Sequence, residues 1–137
     1  MVQLHCDETS EYVNRLRTLL PESCEIWKAY GISETLPDLS VFNVDKHLLD
    51  TRIANQSGGT GQAFDWSLLE NSDLDKSKIL LAGGLTPENA QQAALIGCAG
   101  LDFNSGVESA PGKKDKAKLA AAFAAITSYV QRDSEKV

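Results

Sequence analysis

Asp50 is the residue whose type and position best suit acid–base chemistry. It ends the short apolar run at 47–50, so we expect a buried backbone and a carboxyl group at the end of a strand. Such a group can act as a general acid or base when desolvation raises its pKa towards neutrality. The alternative is a structural carboxylate that caps a turn or pairs with Lys28 or Arg52. The pattern alone leaves both interpretations open.

Two glycine-containing clusters follow two successive apolar runs further along the chain. They are Gly83 and Gly84 after the first of these runs, and Asn104, Ser105 and Gly106 after the second. Glycine lets backbone N–H groups approach an anion closely, and a serine hydroxyl adds a donor. Paired loops after the last two strands are the usual phosphate site of a (β/α)₈ barrel. The clusters therefore predict phosphate binding, and tight strand-to-helix turns are the alternative.

Further site candidates each have a structural alternative. His5 follows the first apolar run and can titrate near neutral pH, although a lone histidine more often only donates or accepts a hydrogen bond. Lys28 faces either the site or the helix layer. Asp102 either binds substrate hydroxyls or holds a loop. A glycine-rich segment has the composition of a lid that excludes water, or of a plain flexible loop. Its residues are Gly58, Gly59, Thr60 and Gly61.

These residues are positioned by five short apolar runs that alternate with helical patterns, as in a parallel α/β fold. The runs cover 2–5, 25–30, 47–50, 79–82 and 99–103. Each is followed by a helix or a loop, and no hairpin turn is predicted. Nearly every polar or glycine-rich cluster follows the C-terminal end of a run. Parallel barrels and open α/β sheets build their active sites at that edge.

Local signals predict several helix boundaries. Thr9, Asp65 and Thr86 suit N-cap positions, because their side-chain oxygens can accept from the first free N–H groups of a helix. Gly97 suits the left-handed residue that closes the helix after Thr86. Residues 33–44 are interrupted by a proline and fit only a short helix or a turn.

The chain of 137 residues, with 42% hydrophobic and 23% charged residues, is typical of a single globular domain. We expect residues 1–130 to form that domain and 131–137 to be a solvated tail. The net charge of −6 and the lack of a long basic stripe argue against a nucleic-acid partner.

Three scattered cysteines, Cys6, Cys24 and Cys98, include no C-x-x-C pair and predict neither a disulfide framework nor a zinc or other metal site. The sequence contains no signal-peptide pattern and no run of about eighteen apolar residues, so no membrane partner is expected. Together these features predict a cytoplasmic location.

Taken together, the motifs resemble the phosphoribosylanthranilate isomerase family. The matching segments are VQLH at 2–5, LLDT at 48–51, GGTG with FDW between 58 and 66, AGGLTPEN at 82–89, and SGVE with PG between 105 and 112. They occur in order along nearly the whole chain. The segments at 26–29 and 101–105 are most similar to the bacterial bifunctional form, which is fused behind indole-glycerol-phosphate synthase.

The resemblance implies an α/β fold that forms part of a (β/α)₈ TIM barrel, about strands four to eight with their helices. It implies an Amadori rearrangement of a sugar phosphate, N-(5′-phosphoribosyl)anthranilate, without a cofactor or metal. By family motif, Asp50 matches the general acid that protonates the ribose ring oxygen. Asp102 lies near the sugar, the two glycine-containing clusters are the phosphate loops, and GGTG is the active-site loop.

The sequence also departs from the family. The family's first strand carries a Lys-x-Cys-Gly motif whose cysteine is the general base, and a later arginine addresses the anthranilate carboxylate. Neither appears in this sequence, and Cys6 stands where the family usually has glycine. We therefore expect no turnover from this chain alone, and self-association or pairing with the remaining barrel strands through exposed sheet edges. A non-catalytic phosphate-binding or assembly module is the alternative, followed by a different sugar-phosphate isomerase on the same fold.

Overall fold

A five-stranded parallel sheet forms the centre of the molecule. The computed structural model describes residues 1–50 and 65–134, with side chains through residue 128. The strands are β1 (Val2–Leu4), β2 (Ile26–Gly31), β3 (Lys46–Asp50), β4 (Ile79–Ala82) and β5 (Gly100–Asp102). They lie in the order β1-β2-β3-β4-β5, and each pairs in parallel with its neighbour along the chain. The predicted strands and their parallel arrangement are confirmed.

In the described part of the chain, four α-helices connect or follow these strands. They are α1 (Ser10–Leu19), α2 (Ser67–Glu70), α3 (Ala90–Leu95) and α4 (Lys116–Ser134). Thr9 caps α1 as predicted, because its Oγ1 accepts from the N–H of Tyr12 at 3.1 Å. Gly97 follows α3 with a φ of +85°, which confirms its predicted left-handed conformation. Within residues 33–44 the regular element is a 3₁₀ turn, Leu39–Val41.

Two boundary predictions need correction. Helix α3 begins at Ala90 with Asn89, and not Thr86, at the N-cap position, since Asn89 Oδ1 accepts from the Thr86 N–H at 2.8 Å and closes a separate turn. Asp65 precedes α2 by two residues and accepts from the N–H of Ser67, while Trp66 occupies the N-cap position. The backbone of α4 continues to Ser134, and the division into a domain at 1–130 and a solvated tail at 131–137 stays a prediction.

A short antiparallel hairpin follows β5, although no hairpin was predicted. Its strands are β6 (Glu108–Ala110) and β7 (Lys113–Lys114). Both strands are short and mostly polar, so they lack the apolar alternation by which a strand is recognised in a sequence. The turn between them contains Gly112 with a φ of +78°.

The two faces of the sheet have different neighbours. One face packs against the helices, where Tyr30, Leu49 and Leu81 belong to the same buried cluster as Leu69 of α2, and Ile26 to the same cluster as Val13 of α1. The other face carries Ala29, Leu48, Leu80 and Ala82, with Trp27 packed against them. Because side chains alternate along a strand, Asp50 shares the second face with Leu48, whereas Lys28 shares the helix-covered face with Tyr30.

A buried Tyr30–His47 contact predicts a pH-dependent loss of stability. The Tyr30 hydroxyl lies 2.9 Å from His47 Nδ1, and burial raises the pKa of Tyr30 to about 12. Burial, and then the charge of Lys78, lower the pKa of His47 below its usual 6.5. The unfolded chain therefore binds a proton that the folded chain excludes, and stability falls as pH drops below about 6.5.

Denaturant unfolding at pH 7.5 and 5.5 tests this expectation. The wild type should lose more unfolding free energy between these values than His47→Gln, whose side-chain oxygen still accepts from Tyr30. Equal losses in the two proteins would show that His47 does not control the dependence.

Candidate functional site

Two carboxylates lie at the C-terminal edge of the sheet. Asp50 of β3 and Asp102 of β5 both pair in register with Ala82 of β4, so they flank this strand on the same face. Both are half-buried. Burial raises the pKa of Asp102, and the charge of Asp50 raises it further, while Lys114, Asn104 and His5 act in the opposite direction. The structure thus brings the two aspartates that the sequence singled out, Asp50 and Asp102, close enough for their charges to interact.

The loop after β4 has a conformation that requires glycine. Gly83 and Gly84 have φ values of +80° and +72°, a region that other residues rarely adopt. Asn89 holds this loop from the helix that follows it. Its Nδ2 donates to the Gly84 carbonyl at 2.8 Å, and its Oδ1 accepts from the loop's Thr86 N–H. The side chain of Asn89 therefore fixes the shape of the β4 loop.

The loop after β5 is packed directly against the β4 loop. A Cβ atom at Gly106 would lie 1.8 Å from the carbonyl oxygen of Leu85, so only glycine fits at this contact. Asn104 and Ser105, immediately before it, are exposed and accessible to a ligand, while Val107 is buried. The structure thus brings together the two glycine-containing clusters that the sequence predicts as a phosphate site.

The two basic site candidates, His5 and Lys28, lie in different surroundings. His5 is exposed just after β1 and is close enough to lower the pKa of Asp102 by its charge. Lys28 is 5% exposed and lies on the helix-covered face, where its Nζ donates to the Cys6 carbonyl at 2.8 Å and to Glu8 Oε2 at 3.0 Å. Phe42 lies beneath this ammonium group at 5.0 Å. The structural alternative therefore holds for Lys28, which fixes the loop after β1 and does not reach the site.

The predicted lid lies outside the described residues. Gly58, Gly59, Thr60 and Gly61 all fall between residues 50 and 65. Its role stays a prediction from the sequence.

The pattern of the sequence did not identify one residue that lies near the site. Lys114 of β7 places its Nζ 2.8 Å from Glu108 Oε2 and 3.4 Å from the Asn104 carbonyl oxygen. The Pro111–Gly112 pair, which stands between charged residues, could have indicated the hairpin, because Pro-Gly marks a turn. A hairpin at that turn returns Lys114 to the loop after β5.

Residues 1–50 and 65–134 contain neither a candidate metal site nor a candidate membrane-spanning helix. Among them, no group of three His, Cys, Asp or Glu side chains is arranged to hold a metal ion. In the same residues, no helix combines the length and apolar character needed to cross a membrane.

A family model described as N-(5′-phosphoribosyl)anthranilate (PRA) isomerase matches residues 1–125 of the chain. Among curated proteins, the tryptophan biosynthesis protein TrpCF of Vibrio parahaemolyticus is 62% identical over 128 residues, and that of Salmonella typhi is 52% identical over 128 residues. Each match includes 93% of this chain. The chain spans only 26% and 27% of the length of these two relatives.

Solved structures give the same similarity. Phosphoribosyl anthranilate isomerase from Thermus thermophilus superposes with a TM-score of 0.70 at 30% identity, over 92% of this chain and 60% of that one. The enzyme of the same description from Thermotoga maritima gives a TM-score of 0.70 at 32% identity, over 93% of this chain and 61% of that one. The sheet and its helices therefore match about three-fifths of each of these chains.

Proposed function

Because this chain belongs to the N-(5′-phosphoribosyl)anthranilate isomerase family, we propose that it supplies the acid and phosphate-binding side of the isomerase site. The reaction is the Amadori rearrangement of N-(5′-phosphoribosyl)anthranilate to 1-(2-carboxyphenylamino)-1-deoxyribulose 5-phosphate in tryptophan biosynthesis. The observation that carries the proposal is the position of Asp50 at the same sheet edge as the two glycine-containing loops. This arrangement allows one sugar phosphate to contact both.

In the proposed mechanism, the loops of Gly83–Gly84 and Asn104–Gly106 bind the 5-phosphate and orient the sugar. Asp50 gives its proton to the ring oxygen as the bond from that oxygen to C1 breaks, and the nitrogen lone pair forms the C1=N bond of a protonated imine. A base then removes the proton from C2, and the resulting enolamine converts to the ketone. By family resemblance that base is the cysteine of a Lys-x-Cys-Gly motif, which these 137 residues do not contain. In this proposal Asp102 binds the sugar hydroxyls.

We further propose that the two sheet edges pair with the remaining strands of an isomerase barrel. Within the described residues, β1 pairs with β2 alone and β5 with β4 alone, and an unpaired edge favours addition of another strand. A groove of about 380 Å³ lies beside β5, lined by apolar side chains such as Leu101, Phe103 and Phe123. Burial of this groove would favour association.

The tryptophan-pathway relatives and the free cysteines support the cytoplasmic location.

An assay that follows the loss of phosphoribosylanthranilate fluorescence tests the proposal. The chain is measured alone and after mixing with a separate fragment that carries the first three strand–helix units of a family member. We expect turnover only in the mixture. Turnover by the chain alone would contradict the proposed division of the site.

A non-catalytic phosphate-binding module is the second candidate. It is favoured by the presence of both phosphate loops in a sequence without the general-base motif. Under this proposal the mixture is inactive, while the folded chain still binds ribose 5-phosphate in calorimetry. That binding should survive Asp50→Ala and be lost when Ser105→Ala is combined with Gly84→Val.

A further inference from the structure

Lys114 connects the hairpin to the predicted phosphate loop. It pairs in register with Glu108 across the hairpin, and its Nζ lies 2.8 Å from Glu108 Oε2. The same ammonium group donates to the Asn104 carbonyl at 3.4 Å. The side chain of Glu108 is only 14% exposed and that of Lys114 is 46% exposed, so the carboxylate half of this ion pair is shielded from solvent and the ammonium half is not.

Glu108 is itself held on several sides. Its Oε1 accepts from the Gly112 N–H at 3.4 Å, and its carbonyl oxygen accepts from Lys118 Nζ of α4 at 2.8 Å. Next to it, the Val107 carbonyl accepts from the Asp115 N–H at 2.8 Å. The hairpin and the start of α4 therefore form a rigid support beneath the end of the loop.

We propose that Lys114 is a positioning residue, which holds the loop of Asn104, Ser105 and Gly106 in the geometry that binds a phosphate group. Glu108 fixes the Lys114 ammonium in place for this role. The inference rests on the proposed function, since it assigns a support to the same phosphate site. The ligand of this site would be a phosphorylated sugar.

The contacts favour positioning over direct binding of the phosphate. The Lys114 ammonium group already contacts Glu108 Oε2 at 2.8 Å and the Asn104 carbonyl oxygen at 3.4 Å, so a phosphate group would have to compete with both for it. The loop already rests on the Leu85 backbone through Gly106, which leaves the Asn104 side to be held. The Asn104 carbonyl accepts from Lys114 Nζ and, at 3.2 Å, from the Val107 N–H, so loss of the ammonium group removes the contact of this side with the hairpin.

Calorimetry with ribose 5-phosphate provides the first test, on the whole chain. We expect Lys114→Met to weaken binding about tenfold, the loss expected for one charge-assisted hydrogen bond, and Lys114→Arg to recover part of it. Lys113→Met is the matched control. Lys113 is the exposed neighbour in β7 and projects to the opposite side of the hairpin.

Glu108→Gln separates positioning from direct contact. If Lys114 positions the loop, removal of its anchor also weakens binding. If Lys114 contacts the phosphate directly, the same change releases its charge and strengthens binding, which would overturn the inference. In the complemented assay, positioning predicts a higher KM for Lys114→Met with kcat nearly unchanged.

Amide hydrogen exchange tests the loop without any ligand. The amides of residues 105–107 should exchange faster in Lys114→Met than in the wild type or in Lys113→Met. Unchanged exchange would overturn the inference. Failure of the wild type to bind ribose 5-phosphate would instead overturn the proposed function, and the exchange result would still decide whether Lys114 holds the loop.

Discussion

Replacement of Asp50 by asparagine is expected to lower kcat of the complemented isomerase by about 10²- to 10⁴-fold, the usual contribution of a general acid. Asparagine keeps the size of the side chain and removes the proton that the ring oxygen needs. The phosphate loops follow β4 and β5, so ribose 5-phosphate binding should change little. The measurement is the fluorescence assay on the mixture, paired with calorimetry on the chain.

Asp73→Asn is the matched control for this experiment. Asp73 is exposed and follows α2, away from the C-terminal edge of the sheet, yet its replacement changes the net charge by the same amount. We expect wild-type kcat from this variant. A mixture that keeps full turnover with Asp50→Asn would remove Asp50 from the mechanism.

Replacement of Gly106 by alanine is expected to destabilise the fold by about 1–3 kcal/mol, as overpacking commonly does, and to abolish phosphate binding. The new Cβ atom would lie 1.8 Å from the Leu85 carbonyl oxygen and 3.2 Å from the Thr86 Cα, both backbone atoms. Backbone cannot move away as a side chain can, so the two loops must separate. Denaturant unfolding and ribose 5-phosphate calorimetry measure the two effects.

Gly97→Ala distinguishes this clash from ordinary loss of a glycine. Gly97 has a φ of +85°, but no heavy atom lies within 4 Å of the position of its added Cβ. We expect a cost of about 1 kcal/mol from backbone strain alone and unchanged phosphate binding. Equal binding by the Gly106 and Gly97 variants would contradict a phosphate site at the contact between the loops.

Much of the fold was predictable because its signals are local. Each apolar run is long enough to be recognised. The hydroxyl of Thr9 suits it to cap α1, and the lack of a side chain suits Gly97 to the left-handed conformation after α3. The two glycine-containing clusters follow successive strands, and parallel strands end at a common edge. Their proximity therefore follows from the order of elements, without knowledge of any side-chain contact.

The remaining features depend on contacts between distant residues. The side of β2 on which Lys28 lies is set by the register with β1 and β3, and a shift of one residue would reverse it. The hairpin that carries Lys114 is stabilised by Glu108 and by contacts to α4, which short polar strands do not reveal. The start of α3 depends on Asn89, whose side chain binds backbone groups of the preceding loop.

The strand order has a consequence for how the chain is made. In the five-stranded sheet, each strand after β1 pairs with the one before it, over separations of roughly 20 to 30 residues, so loop closure is inexpensive at each step. A ribosome emits the chain from the N-terminus at about 5–20 residues per second, slowly enough for each new strand to dock on a finished neighbour. The sheet can therefore grow one strand at a time during synthesis, and of its five strands β5, with the loop of Asn104–Gly106 behind it, is added last.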